Sequence, residues 1–198
     1  WYDHDSIREY ICNFIMSKLE TNQVDPATGT TLTLGTSGDT ITIPSGVTIA
    51  NSGTATGFGA NTPTFRAYAN SNLSLANNAD TTLVFDTENF DPQSTFNTST
   101  GRFTPGVSGK YFLYANVRLG TTNDQGIFDI YIKKNSSTQA AARVRGSGTG
   151  NIAVQISDLV ESDTDDYFYI QIYQATGGSI NATSGSNVTY FTGYKIIE

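Results

Sequence analysis

The sequence predicts an all-β sandwich that follows a short helix and a slender β-rich stretch. Two observations carry the sandwich. From Thr64 to Ile197, about eight to ten short runs rich in Val, Ile, Tyr, Phe and Thr are separated by Gly, Pro, Asn and Asp turn signals. In the clearest run, Lys110 to Leu119, the side chains of Tyr111, Leu113, Ala115, Val117 and Leu119 alternate with those of Phe112, Tyr114, Asn116 and Arg118, which is the period of a strand. A third observation concerns the surface. Charged residues make up 15% of the chain, against about a quarter in ordinary proteins, so Asn, Ser, Thr and Gly must supply surface polarity.

The chain reads as three segments. Residues 1–29 hold a helix and a polar linker. Ser6 and Glu9 have capping-box spacing, and Asp3 and Asp5 suit the positive end of a helix. Ile7, Ile11, Phe14, Ile15 and Leu19 then recur at intervals of three and four, broadened by Tyr10 and Met16. A helix of about fourteen residues is marginal alone in water. Its stripe calls for a surface: another protomer's helix, a docking protein, or its own domain.

Residues 30–62 form the slender part. Leu32/Leu34, Ile41/Ile43 and Val47/Ile49 alternate with Thr between Gly-containing turns. Each piece has too few apolar residues to build a core alone. Threefold association would place them along a shared axis, an arrangement that resembles the β-prism shafts of bacteriophage tail fibres. The same residues would also serve as a plain Thr-rich linker. Ser52 to Thr62 is a flexible connection.

Residues 63–198 form the head. Thr64 to Ala69 opens it, and Leu73 and Leu75 anchor a polar stretch. Leu83-Val84-Phe85 and Arg102-Phe103-Thr104 read as strands, with turns at Asp91-Pro92 and Thr98 to Gly101. Ile127 to Lys133, Gln139 to Arg145, Ile152 to Ile156, Tyr167 to Tyr173 and Tyr190 to Ile197 are the remaining strands. Gly120 to Gly126, Gly146 to Asn151 and Ala175 to Asn187 are loops.

The ordered pattern Phe85-Asp86, Phe96-Asn97, Thr100-Gly101-Arg102-Phe103-Thr104 and Gly109-Lys110-Tyr111-Phe112 resembles the complement C1q-like globular domain. That family belongs to the tumour-necrosis-factor-like jelly rolls. Phe65-Arg66-Ala67-Tyr68 and Phe191-Thr192-Gly193-Tyr194 extend the resemblance to about residues 63–198. It implies a jelly-roll head, a last strand beside the first, and a homotrimer around a threefold axis. Family members commonly carry a collagen stalk. No Gly-X-Y repeat is present here, and a Thr/Gly-rich shaft looks more like a virion fibre or spike.

Composition excludes several functions. A net charge of −7 disfavours binding to nucleic acid or anionic membrane. A single cysteine, Cys12, permits no intrachain disulfide. No apolar run approaches the roughly 20 residues that span a bilayer. A start at Trp1 reads as a processed or partial chain. The one histidine, His4, sits among polar residues, and Cys12 has no histidine nearby in sequence, so neither a catalytic triad nor a zinc site is supported. No enzyme and no cofactor is therefore expected, and nothing pairs Glu88, Glu161 or an Asp at glycosidase spacing. Glu161, Asp163, Asp165 and Asp166 are a weak calcium candidate, since four carboxylates supply hard oxygen ligands; a solvated turn is the alternative. Five Asn-x-Ser/Thr matches, at Asn72, Asn97, Asn135, Asn181 and Asn187, are what chance gives in so Asn- and Thr-rich a chain.

Binding is the stronger expectation. Asn123, Asp124, Gln125, Arg143, Arg145 and Asn151, in or beside polar loops, are the candidate receptor contacts. The expected protein is a homotrimeric bacteriophage fibre or spike on the virion surface. Its helix would meet other virion proteins, and its head would bind a host receptor or glycan multivalently. A purely structural virion protein, a secreted C1q-like recognition protein and a glycan depolymerase are the alternatives.

Overall fold

A computed structural model describes residues 24–53, 61–121, 126–146 and 150–196. The expected helix from Ser6 to Leu19 lies outside the described residues, as do His4 and Cys12. The chain divides into two compact units, Trp1–Thr54 and Ala55–Glu198.

In the first unit, residues 24–53 form no strand. Two tight turns shape the segment: the Asp39 amide donates to the Thr36 carbonyl at 3.0 Å, and the Val47 amide to Pro44 at 3.2 Å. Asp39 also accepts from the Thr36 amide at 2.7 Å, which holds its carboxyl below the usual carboxylate range. Leu32, Leu34, Ile41, Ile43, Val47 and Ile49 are all 43% to 62% exposed. Among the described residues, nothing offers these side chains a ladder partner or a core.

The second unit is a β-sandwich. In chain order its strands are β1 (Thr64–Tyr68), β2 (Leu73–Leu75), β3 (Ala79–Thr82), β4 (Thr87–Phe90), β5 (Phe96–Asn97), β6 (Arg102–Phe103), β7 (Gly109–Thr121), β8 (Ile127–Lys134), β9 (Ser137–Arg145), β10 (Gly150–Ser162), β11 (Phe168–Ala175), β12 (Ile180–Ala182) and β13 (Tyr190–Lys195). The first sheet runs β2-β12-β7-β13-β1-β4, with β10 along the other edge of β7. The second runs β5-β6-β11-β8-β9, with β3 also on β11. The last strand lies antiparallel beside the first, Phe65 opposite Gly193.

Strand β7 is the spine of the first sheet. One edge pairs with β10 over thirteen residues, and the other with β13 and then β12. Its alternation works as read: Tyr111, Leu113, Ala115, Val117 and Leu119 are fully buried. Burial pushes the Tyr111 hydroxyl up to about 12, and the hydroxyl donates to the Val107 carbonyl at 2.7 Å.

Two expectations need correction. Leu83-Val84-Phe85 is not a strand. Leu83 and Phe85 are fully buried, but the segment bridges instead of laddering, with the Leu83 amide on the Ile170 carbonyl. Apolar β-formers here report burial, not pairing. The stretch from Ala175 to Asn187 is not a plain loop, since Ile180–Ala182 forms β12. Buried Gln174 anchors its entry by donating to the Leu75 and Gly178 carbonyls at 3.1 and 2.9 Å.

The core joins the sheets through phenylalanines. Phe65 stacks on Phe96 and Phe103, with centroids 4.9 and 4.3 Å away, and meets Phe191 edge-on at 4.9 Å. Gly193 makes this possible: a Cβ there would stand 2.6 Å from Leu113 and 3.1 Å from the Phe65 ring. Phe65→Ala should cost about 3–5 kcal/mol, and Gly193→Ala about 1–3 kcal/mol through overpacking. Urea unfolding of the two variants checks both values.

Candidate recognition surfaces

The outward face of the first sheet is set by the same register that fills the core. Leu159 of β10, Phe112 of β7, Tyr194 of β13 and Thr64 of β1 form one row. Ser157, Tyr114, Thr192, Arg66 and Phe90 form the next, and Gln155, Asn116, Tyr190, Tyr68 and Thr87 the third. The rings touch across strands: Phe112 and Tyr194 at 5.6 Å, Tyr114 and Tyr190 at 5.8 Å. The Arg66 guanidinium lies 3.9 Å over the Tyr190 ring and donates to the Ser186 carbonyl at 2.8 Å. Burial, with the Tyr190 hydroxyl beside it, pushes the Tyr114 hydroxyl up. Leu159 is 63% exposed, Phe90 45% and Tyr194 39%. Large apolar groups thus cluster on an outward face that the described residues leave in water.

The third row turns polar. Asn116 is buried, donating to the Val188 carbonyl and accepting from Gln155 at 2.9 Å. Beyond it, Asn151 turns its amide oxygen to the Arg118 guanidinium, accepting from Nη2 at 2.8 Å and Nε at 3.2 Å. The assignment of oxygen and nitrogen follows these donors.

The outward face of the second sheet has different chemistry. Arg143 of β9, Asp129 of β8 and Tyr173 of β11 share a row with Asp80 of β3. Arg143 grips Asp129 with two hydrogen bonds, Nε at 2.6 Å and Nη2 at 2.7 Å. The carboxylate is 7% exposed and the arginine 60%, so the acid is structural and the guanidinium faces water. These bonds from Arg143 hold the Asp129 carboxyl below its usual range, against the effect of burial. The Tyr131 hydroxyl, on Asp129 at 3.2 Å, is pushed up by burial and by that charge. Arg102 lies 4.2 Å over Tyr167, which stacks on Tyr169 at 6.1 Å.

Of the six expected receptor contacts, the three among the described residues lie on two different sheets. Arg143 and Arg145 lie on the outward face of the second sheet, and Arg143 pairs with Asp129 through Nε and Nη2. Asn151 lies on the opposite sheet against Arg118. Asn123, Asp124 and Gln125 lie outside the described residues. What the sequence reading passed over was the aromatic face itself, although the second side of the β7 alternation already contained Phe112 and Tyr114.

The structure does not bring the four acids together. Asp166 turns inward, taking Lys134 at 2.6 Å, the Asp163 amide at 2.7 Å and the Asn135 amide group at 2.8 Å. Burial opposes its charge, but these donors outweigh it, and its carboxyl sits below the usual range. Glu161, Asp163 and Asp165 remain exposed. Among the described residues, no three His, Cys, Asp or Glu side chains converge to hold a metal. Beside this turn, a shallow cleft of about 280 Å³ is lined by Ser108, Gly109, Lys110, Lys134, Glu161, Ser162 and Asp163, with balanced charges.

The family profile of the C1q domain matches residues 64–196. The chain belongs to the C1q domain family. Among solved structures, the globular domain of zebrafish complement 1qA protein superposes with a TM-score of 0.52 at 16% identity, covering 68% of this chain and 97% of that one. Murine APRIL at pH 5.0 gives 0.54 at 9% identity, covering 67% and 98%. Eiger TNF from S. frugiperda gives 0.51 at 10% identity, covering 67% and 91%. At such identities these likenesses establish the shared C1q/TNF jelly-roll fold and nothing finer. No curated protein matches the chain. C1q/TNF domains are typically homotrimeric, extracellular, non-enzymatic recognition domains. No helix among the described residues is long and apolar enough to cross a membrane.

The ion pair makes a pH prediction. The Asp129 carboxyl ionises more readily in the folded than in the unfolded chain, so the pair stabilises fully above the unfolded value of about 3.9. The contribution fades as pH falls through the lower folded value. Arg143→Gln should therefore melt below wild type at pH 7, and the gap should narrow below about pH 4. Thermal melts across that range check it.

Proposed function

We propose that the chain is the subunit of a homotrimeric recognition protein whose C1q-domain head self-associates through the outward face of the first sheet and binds a surface ligand. One observation carries this reading: the row Leu159–Phe112–Tyr194 places apolar groups on an outward sheet face that no described residue covers. Burying such groups against identical copies removes them from water at about 25 cal/mol per Å² of apolar area. Three heads then present three identical sites, and weak single contacts combine into avidity.

The finer placement is a bacteriophage fibre or spike. Support comes from residues 30–51, where six alternating apolar side chains stand exposed without a strand partner. A threefold shaft would supply both the ladder and the core. The 1–29 segment would attach the assembly to other virion proteins. A second reading is a secreted C1q-like recognition protein, favoured by the usual extracellular setting of the family. The complete gene separates the two, since a signal peptide supports secretion and a neighbourhood of virion genes supports the fibre.

Light scattering after gel filtration should give residues 63–198, the head without the proposed shaft, three chain masses. Phe112→Asp combined with Leu159→Asp should reduce it to one, with an unchanged circular dichroism spectrum. A wild-type monomer, or a trimer indifferent to both charges, would refute self-association through this face.

A further inference from the structure

The two outward faces of the sandwich point away from each other, so a head that buries the first leaves the second exposed on every copy. We propose that the outward face of the second sheet is a binding platform for a neutral oligosaccharide, formed by Tyr131, Tyr169, Tyr173, Gln171 and the Asp129–Arg143 pair. This deepens the recognition reading above by giving it a site and a ligand class, and the avidity in it rests on that reading.

Register places these groups on one plane. Tyr131 lies opposite Gln171, Asp129 opposite Tyr173, and Lys133 opposite Tyr169. Neighbouring strands are about 4.8 Å apart and alternate residues about 7 Å. Tyr169 and Tyr173, four residues apart on β11, are therefore separated by about 13 Å, a span for several sugar rings and not for one.

The chemistry selects the ligand. The three rows from the Asp129–Arg143 pair to Lys133 carry Asp80 and Asp129 against Lys133 and Arg143, with Arg145 and Arg102 at their margins, so the centre of the platform has no net charge. The stretch from Asp129 to Lys133 and its partners from Tyr169 to Tyr173 present no large aliphatic side chain outward, unlike Leu159, Phe112 and Phe90 on the first sheet. What is presented is tyrosine rings, whose faces accept the C–H surface of a pyranose, beside planar polar groups that suit hydroxyls.

The polar groups are also held in place. Asp129 takes Nε and Nη2 of Arg143 and fixes the plane of the guanidinium, leaving its outer N–H groups to donate to a ligand. The Tyr131 hydroxyl is oriented on Asp129 at 3.2 Å, and the Tyr173 hydroxyl on Asn78 at 3.3 Å. Little side-chain freedom is then lost on binding, which favours affinity for a weakly held, strongly hydrated ligand.

The test uses the whole chain on a printed array of neutral oligosaccharides of three or more rings, with sialylated, sulfated and uronic-acid glycans beside them. Hits are followed by titration in solution. Binding to at least one neutral glycan is expected, weakened about tenfold or more by Tyr169→Ala or Tyr173→Ala, while Tyr173→Phe retains most of it. Circular dichroism confirms that the variants fold. No neutral glycan bound, binding confined to anionic glycans, or binding unmoved by loss of the rings would each overturn the proposal. A trimer that binds no glycan sinks the platform and spares self-association, whereas a monomer that binds one does the reverse.

Discussion

The structure of the head depends on the pairing of β7 with three other strands. Because β10, β12 and β13 all take their register from it, the two-residue period of one thirteen-residue strand is copied across the first sheet. One parity supplies Tyr111, Leu113, Ala115, Val117 and Leu119 to the core. The other supplies the outward rows headed by Phe112 and Tyr114. A slip of one residue would exchange the two sets, placing Asn116 and Arg118 inside. The bare backbone of Gly193 adds a second lock, since Phe65 must lie across it to reach Phe96 and Phe103 from the opposite sheet.

The sandwich thus carries two unlike exteriors. The first sheet shows Leu159, Phe112, Phe90 and Tyr194, groups whose removal from water is favourable and whose flatness suits another protein surface. The second shows tyrosines, an amide and a paired guanidinium, with Tyr131, Tyr173 and Arg143 already holding polar partners. Its buried carboxylate, Asp129, is satisfied by Arg143 and Tyr131 and so costs little to keep. In the proposed reading, self-association and ligand recognition fall on opposite sides of one head. The assignment follows from chemistry and register, without appeal to loops.

Much of the fold was legible because it rests on local period and turn chemistry. The β7 alternation, the turn at Thr98 to Gly101 and the opening and closing strands read correctly. Gly101 shows why the turn was readable: its φ of 70° suits glycine, and a Cβ would meet the Leu83 carbonyl at 2.3 Å. The jelly-roll reading itself came from the recurring aromatics and glycines, which the structure places at the Phe65 cluster and at Gly193. Leu83 to Phe85 misled because buried bridging segments and strands share a composition. The sites were harder. Asp129 and Arg143 are fourteen residues apart and meet only through the β8–β9 register. Asp166 looked like one of four ligands until Lys134, thirty-two residues earlier, was seen to occupy it. Pair geometry of this kind is tertiary, and no spacing in the sequence announces it.

The division between the two faces is most directly tested by hydroxyl-radical footprinting of the tyrosines in the native protein. Within a single chain, Tyr114, Tyr190 and Tyr194 and their counterparts Tyr131, Tyr169 and Tyr173 are all at least partly open to solvent. Protection of the first three, with the second three reactive, is the result this account predicts. Equal reactivity of both sets, or protection of the second sheet alone, would contradict it.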